Sequence, residues 1–368
     1  MWLTINAVVI ETIQQLFKGT SVKELINFIL VVLIFPLYLV GCAVHPVTME
    51  KEFMIISEEK EIAIGKNADP VILQQFGYYD DPVLQNYVNQ IGQKLASVCR
   101  RRDIEYHFKI VDSDEVNAFA LPGGYIYVTR GILSMINSEA ELAGILGHEI
   151  GHVVGRDSAN QISQQTLFQV IALAGMAAPG TRELAVAGNL LFNSVMLGYG
   201  RKKEFLADSQ GVDYMNKAGY DPLQMSKFQY TLAKIYQGPA GYAQYLSTHP
   251  DIFDRIKRTD AQAKIQRAMD DALSRPNKDG EGLQGQNVHK TGKLILADEY
   301  KARLDGLAYG PRDSIRRIKI YTVKEGDTLG LIAASLMGDD RKESEIASLN
   351  GLEIGSQLYA GQKLKVVY

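Results

Sequence analysis

The run Leu146-Gly147-His148-Glu149-Ile150-Gly151-His152-Val153 decides how this chain is read. It is an H-E-x-x-H motif inside a long helical pattern. A four-residue step on an α-helix turns about 400°, so His148 and His152 share one face, one turn apart. Two imidazoles so placed can grip one zinc ion, and Glu149 stands to the side, where it can take a proton from a metal-bound water. At ordinary residue frequencies a chain of this length holds about 0.01 such motifs by chance. The motif helix is predicted over 138–154. Ser138 is a natural N-cap, and Glu141 three residues on completes a capping-box pattern.

Two histidines and a base do not complete a catalytic zinc site, which uses three protein ligands and keeps one position for water. Glu204-Phe205-Leu206-Ala207-Asp208 on a later helix supplies a candidate third ligand in Glu204. Asp208, one turn on, can accept a hydrogen bond from the far nitrogen of a ligand histidine and so fix its tautomer. The plainer reading is a solvated face beside Arg201, Lys202 and Lys203, but the joint occurrence with the motif weighs against it.

The chain has 368 residues, 46% of them apolar, and a formal charge of −3. That is enough for two or three modules, and the charge gives no reason to expect a nucleic-acid partner. Lys18 and Lys23 precede an apolar run over 25–35 that continues past Pro36 to Val40, the pattern of an export signal. A plain transmembrane anchor is the alternative. Cys99 is expected as a small buried residue on a helix over 84–100. A glutamate-rich helix is expected over 53–66 and strands over 105–111, 118–121 and 125–128, with Pro122-Gly123-Gly124 as a turn. Helical pattern runs from 158 to about 273. Within it the apolar stretches 168–178 and 184–197 read as buried core or a subunit contact before a lid or a membrane-dipping surface. A polar, glycine-rich linker follows.

The pair Gly147-His148-Glu149-Ile150-Gly151-His152 and Glu204-Phe205-Leu206-Ala207-Asp208 resembles the HtpX/Oma-type gluzincin zinc metallopeptidases. Asn117-Ala118-Phe119-Ala120-Leu121-Pro122-Gly123-Gly124 is similar to that family's substrate-edge segment, and Ser247-Thr248-His249-Pro250 followed by Arg255 to its late His-Pro motif. Without multiple membrane spans, the chain looks like the periplasmic, BepA-like subgroup. The resemblance implies one Zn²⁺ held by His148, His152 and Glu204, with Glu149 as general base and Asp208 behind the ligands. Asn117, Ala118, Phe119 and Arg255 would bind substrate, Arg255 as a clamp on its carbonyl. Strand 125–128 or its neighbour at Ala118 would pair with an extended chain. His249 would be either a fourth ligand that silences the enzyme or a stabiliser of the oxyanion. Asp157 departs from the family, where histidine is common; Arg156 is expected to pair with Asp157 or Asp208.

Leu39-Val40-Gly41-Cys42 resembles the lipobox of bacterial lipoproteins, which implies a lipid on Cys42, and Ala43 then points to the outer membrane. The β-α-α-β order after residue 318 resembles a LysM domain, which implies peptidoglycan as partner, with Asp327, Thr328 and Leu329 framing the groove. The expected organisation is a signal over 1–41, a metallopeptidase domain over 42–275, a linker and peripheral segment over 276–317, and LysM over 318–368. The fold class is α+β: a mostly helical zincin domain with a small edge sheet, then the βααβ module. The expected function is an envelope endopeptidase acting on unfolded or misassembled proteins. The alternative is a self-inhibited scaffold or chaperone for outer-membrane proteins that cleaves rarely.

Overall fold

The computed structural model describes residues 42–175, 199–236, 249–273 and 293–368. The signal over 1–41, the apolar residues 176–178 and 184–197, Ser247, Thr248 and the linker over 276–292 lie outside them. The described chain is mostly helical with small sheets. The described residues divide into two compact units, one formed by 42–57 with 159–175, the other by 58–158 with 199–236, 249–273 and 293–368.

In the smaller unit β1 (Cys42–Val44) runs antiparallel to β2 (Lys51–Phe53). The intervening turn is stapled by His45, whose Nδ1 accepts from the N–H of Val47 and Thr48.

In the larger unit α1 spans Glu58–Phe76, not the expected 53–66. Its glutamates occupy the first turn, where the helix dipole favours carboxylates, and the residues before them form β2. Helix α2 (Pro82–Ala96) begins at Asp81, whose carboxylate accepts from Leu84 N–H. It ends before Cys99, which is buried but lies beyond the helix. Strands β3 (His107–Val111), β4 (Ala118–Leu121) and β5 (Tyr125–Thr129) form one sheet in the order β3-β5-β4. β3 is parallel and β4 antiparallel to β5, so β5 has both flanks paired and β4 is an edge. The turn between β4 and β5 needs glycine: Gly123 has φ +75°, and a Cβ there would lie 2.7 Å from Ile62 Cα. One face of the sheet packs Phe119, Leu121 and Tyr127 against Ile72 and Phe76.

After α3 (Arg130–Met135) comes α4 (Glu139–Gly155), the motif helix. Ser138 Oγ accepts from Glu141 N–H at 3.1 Å as expected, but the Glu141 carboxylate reaches Asn137 N–H rather than closing a box on Ser138. The cap contributes about 1 kcal/mol. Helix α5 (Asp157–Gly175) starts in the larger unit and continues into the smaller. There Asn160 donates to Phe53 C=O, and Ser163 Oγ accepts from Ile55 N–H. Helices α6 (Arg201–Lys217), α7 (Leu223–Tyr236) and α8 (Ile252–Leu273) complete the helical body.

Helices α4 and α6 cross very closely. A Cβ on Gly151 would lie 2.8 Å from Ala207 Cα, and one on Gly147 would lie 3.2 Å from Gly211 Cα. Small residues on both sides therefore set the distance between the motif and Glu204. The far end of α4 is held by Glu61. This buried carboxylate takes two hydrogen bonds from Arg101, at 2.8 and 3.1 Å, and one from Arg156 Nε at 2.7 Å. Arg156, expected beside Asp157 or Asp208, pairs with Glu61. Its left-handed backbone (φ +56°) turns the side chain back toward α1.

After α9 (Ala297–Arg303), the last module is β6 (Ile318–Thr322), α10 (Leu329–Met337), α11 (Glu343–Leu349) and β7 (Lys363–Val367), with β6 and β7 antiparallel. Its own core contains Val323, Leu329, Ile332, Ile346 and Leu364. Lys365 joins it to the body: its fully buried amine donates to Ser134 C=O at 2.6 Å and Ile136 C=O at 2.7 Å, directly before α4.

Removing one member of a buried ion cluster strands the others. Glu61→Ala leaves Arg101 and Arg156 without this carboxylate and is expected to lower unfolding stability by about 3–5 kcal/mol, measured by chemical denaturation.

Candidate metal centre

Four buried side chains meet at one point: His148 and His152 from α4, Glu204 from the first turn of α6, and His249 just before α8. Their donor atoms all lie within 4.8 Å of one another. His148 Nε2 is 3.1 Å from His152 Nε2 and 3.2 Å from His249 Nδ1. Glu204 Oε1 is 3.3 Å from His152 Nε2, and Oε2 is 3.1 Å from His249 Nδ1. Donors at ~2.0–2.1 Å around a tetrahedral zinc stand about 3.3 Å apart, so the set has the right spacing. The outer nitrogens support the same reading. His148 Nδ1 is 2.8 Å from Asp208 Oδ1, and His152 Nδ1 is 2.8 Å from Asp157 Oδ2. With each Nδ1 taken by a carboxylate, the two inner nitrogens face each other away from water, an arrangement that a cation between them makes favourable.

A guanidinium lies behind this shell. Arg255, fully buried on α8, makes two 2.7 Å hydrogen bonds to Asp208, and its Nη1 is 2.6 Å from Glu204 Oε2. Burial pushes the Glu204 carboxyl up, but Arg255 and His249 outweigh it and hold the group well below the usual carboxylate range. Asp208 behaves alike: burial raises it, and Arg255 and His148 bring it below its ordinary value. Both acids are therefore ionised and ready to act as ligand and orienting group. The imidazoles diverge. Burial and Arg255 push His148 down. Burial also lowers His152, but Asp157 and Glu204 prevail and raise it to about 10. The lone pair which that proton occupies is the one a cation uses, so metal uptake releases it.

Glu149 is fully buried beside the cluster, and neither carboxylate oxygen has a hydrogen-bond partner among the described residues. Its Oε1 is 3.8 Å from His249 Nε2.

The structure brings His148, Glu149, His152, Glu204, Asp208, His249 and Arg255 together. Arg255, expected as a clamp on a substrate carbonyl, is engaged with two carboxylates instead. Ala118 lies at the site, its C=O 3.5 Å from His249 Nε2. Asn117 is buried, with both side-chain amide atoms lacking a hydrogen-bond partner among the described residues. Phe119 points the other way, because alternate residues of a strand face opposite sides; its ring stacks on Tyr127 in the core. The expectation that strand 125–128 could receive a substrate fails, since β5 is the central strand. In the last module Thr328 caps α10, Asp327 accepts from Lys324 N–H and Tyr321 OH, and Leu329 is buried in the module's core rather than on a groove. The backbone of Cys42 begins β1.

Two residues that the sequence reading did not place at the centre belong to it. Asp157 stood out only as a departure from the family pattern, and an aspartate five residues after a ligand histidine was the available signal. Tyr199, whose ring lies 4.1 Å from that of His152, carried no signal.

Buried donors on crossing helices, with a free carboxylate alongside, define a metallopeptidase-type centre of the H-E-x-x-H class. Comparison with known proteins agrees. Residues 82–263 match the model of peptidase family M48, and residues 321–367 match that of the LysM domain. The chain thus carries a peptidase M48 domain followed by a LysM domain. It is 28% identical to the beta-barrel assembly-enhancing protease of Escherichia coli over 52% of this chain and 41% of that protein. It is 28% identical to the mitochondrial metalloendopeptidase OMA1 of Schizosaccharomyces pombe over 61% and 68%, and 33% identical to OMA1 of Arabidopsis thaliana over 53% and 38%. The chain spans about two fifths of the length of the bacterial relatives it matches. M48 peptidases are zinc-dependent, and the four donors suit that ion.

Groups that orient ligand imidazoles are typically worth 10–100-fold in metal affinity. Asp208→Asn and Asp157→Asn are each expected to weaken zinc binding by about that factor, measured by competition with a chromogenic chelator.

Proposed function

We propose that this chain is a zinc-dependent endopeptidase of the bacterial cell envelope that cleaves misfolded or misassembled proteins. The observation that carries the proposal is Glu149. A fully buried carboxylate with no hydrogen-bond partner among the described residues is costly to keep, and here it stands beside four converging metal donors. His148, His152 and Glu204 would hold a zinc ion, which would supply a Lewis acid able to make a water more acidic and to polarise the scissile carbonyl. Glu149 takes the proton of the attacking water and passes it to the leaving amine. Arg255 braces Glu204 and Asp208, and so holds the ligand geometry rather than the substrate. The edge strand β4 offers main-chain groups at Ala118 to an extended substrate. Only a locally unfolded chain presents such a strand, so substrate order matters more than substrate sequence.

His249 acts as a brake. Its Nδ1 fills the fourth corner of the donor set, the position a catalytic site leaves for water, while its Nε2 approaches Ala118 C=O. Turnover requires His249 to withdraw from both. The same contacts favour a second reading, an enzyme that holds clients and cleaves rarely.

The LysM domain supports peptidoglycan as a partner, and the names of the bacterial relatives support protein substrates in beta-barrel assembly. The lipobox-like run ending at Cys42 supports a lipid anchor on the periplasmic face of the outer membrane. No helix among the described residues is long and apolar enough to cross a membrane.

Glu149→Gln is expected to retain zinc while losing at least ~10²-fold in casein cleavage. Undiminished cleavage by pure, zinc-loaded variant would sink the proposal. His249→Ala is expected to raise basal cleavage; a fall would move His249 from brake to transition-state stabiliser. The chain beginning at residue 43 is expected to sediment with peptidoglycan sacculi and to be released by N-acetylglucosamine oligomers.

A further inference from the structure

Thr129 N–H donates to Asn117 C=O, so the main-chain groups of Asn117, Phe119 and Leu121 face β5 and those of Ala118 and Ala120 face outward. An added strand would meet those two outward residues first. Their carbonyls are not equivalent. Ala118 C=O is contacted only weakly, by His249 at 3.5 Å. Ala120 C=O accepts a 3.2 Å hydrogen bond from Ser158 Oγ. Ser158 is itself held by Tyr199, hydroxyl to hydroxyl at 2.7 Å. With the Ser158 proton on Ala120, the Tyr199 proton lies on Ser158. All three residues are buried.

This contact is fixed to the metal shell from two directions. Asp157, the residue before Ser158, orients His152 through its Nδ1. Tyr199, which holds Ser158, packs its ring on that of His152. The corner between α4 and α5 therefore sets a ligand imidazole and a carbonyl of the substrate edge in one rigid piece.

We propose that Ser158 determines how far a substrate strand can pair along β4. By engaging Ala120 C=O it competes with a substrate N–H for that acceptor and leaves Ala118 as the favoured outward pairing position among the described residues of this edge, and Tyr199 keeps it there. Ser158 is thus a specificity-determining residue that limits main-chain contact to a short stretch, suiting an enzyme that meets brief unfolded segments. The inference rests on the strand-pairing reading of β4 given above.

The test measures binding, not turnover. The protein is the zinc-loaded full chain carrying Glu149→Gln and His249→Ala, which binds without cleaving and leaves Ala118 open. The probe is a fluorescent casein peptide that the parent enzyme cleaves, with copies N-methylated at each main-chain nitrogen in turn, read by anisotropy. With Ser158 present, methylation is expected to weaken binding at one position on this edge, the partner of Ala118. Adding Ser158→Ala is expected to tighten the unmodified peptide about three- to tenfold, the worth of one hydrogen bond. It should also create a second sensitive position two residues away. Ser158→Thr, which keeps the hydroxyl, should restore the single-position scan. Identical scans with and without the hydroxyl, at unchanged zinc content, overturn the role of Ser158. A second sensitive position already present with Ser158 does so too. If no methylation matters in any variant, strand pairing itself fails, and this inference falls with it.

Discussion

The close crossing of α4 and α6 is the constraint on which the rest depends. Gly151 meets Ala207 with no room for a further carbon, and Gly147 meets Gly211 more tightly than an ordinary Cβ contact. Backbone this close puts the first turn of α6 within donor distance of the imidazoles on α4. A larger residue at Gly151 would push Glu204 out of the donor set before it touched a ligand. The convergence of Glu204 with His148 and His152 follows from that approach.

Around this crossing, charge is arranged in layers. Donors form the inside, Asp157 and Asp208 orient two imidazoles from behind, and Arg255 and Lys203 neutralise those aspartates in turn. Such a nest is stable only when complete, because each member is buried at a cost its partners offset. Glu149 is the exception, a carboxylate without a hydrogen-bond partner among the described residues. An exception of this kind marks the place where a protein gives up stability for chemistry. The last module is joined by a buried polar contact as well: burial pushes Lys365 well below the usual lysine range, and its amine donates to two carbonyls at the foot of the motif helix.

Much of the molecule was legible before any coordinates. The motif helix, its N-cap, the edge segment, the βααβ module and the candidacy of His148, Glu149, His152, Glu204 and Asp208 come from residue type and local spacing, and the structure brings those five side chains together. Errors clustered where a partner lies far along the chain. Arg255 reads as a substrate clamp until Asp208 and Glu204 are seen to occupy it. Arg156 points to Glu61, 95 residues away. Phe119 and Leu329 sit in segments that resemble binding motifs, yet their side chains fill cores.

By itself the sequence determined the chemistry on offer: two imidazoles one helical turn apart, a base between them, a carboxylate to complete the set, and the periodicities of helix and strand. These are local properties, set by a 3.6-residue turn and a two-residue pleat. Tertiary structure decided strand order, which made β4 the edge and β5 the centre. It decided the alternate contacts of β4 and the convergence of His249 on the metal donors. It also decided that Asp157 and Ser158, adjacent in sequence, contact the His152 imidazole and the Ala120 carbonyl of β4. Those outcomes depend on contacts between distant segments, and no spacing within a segment encodes them.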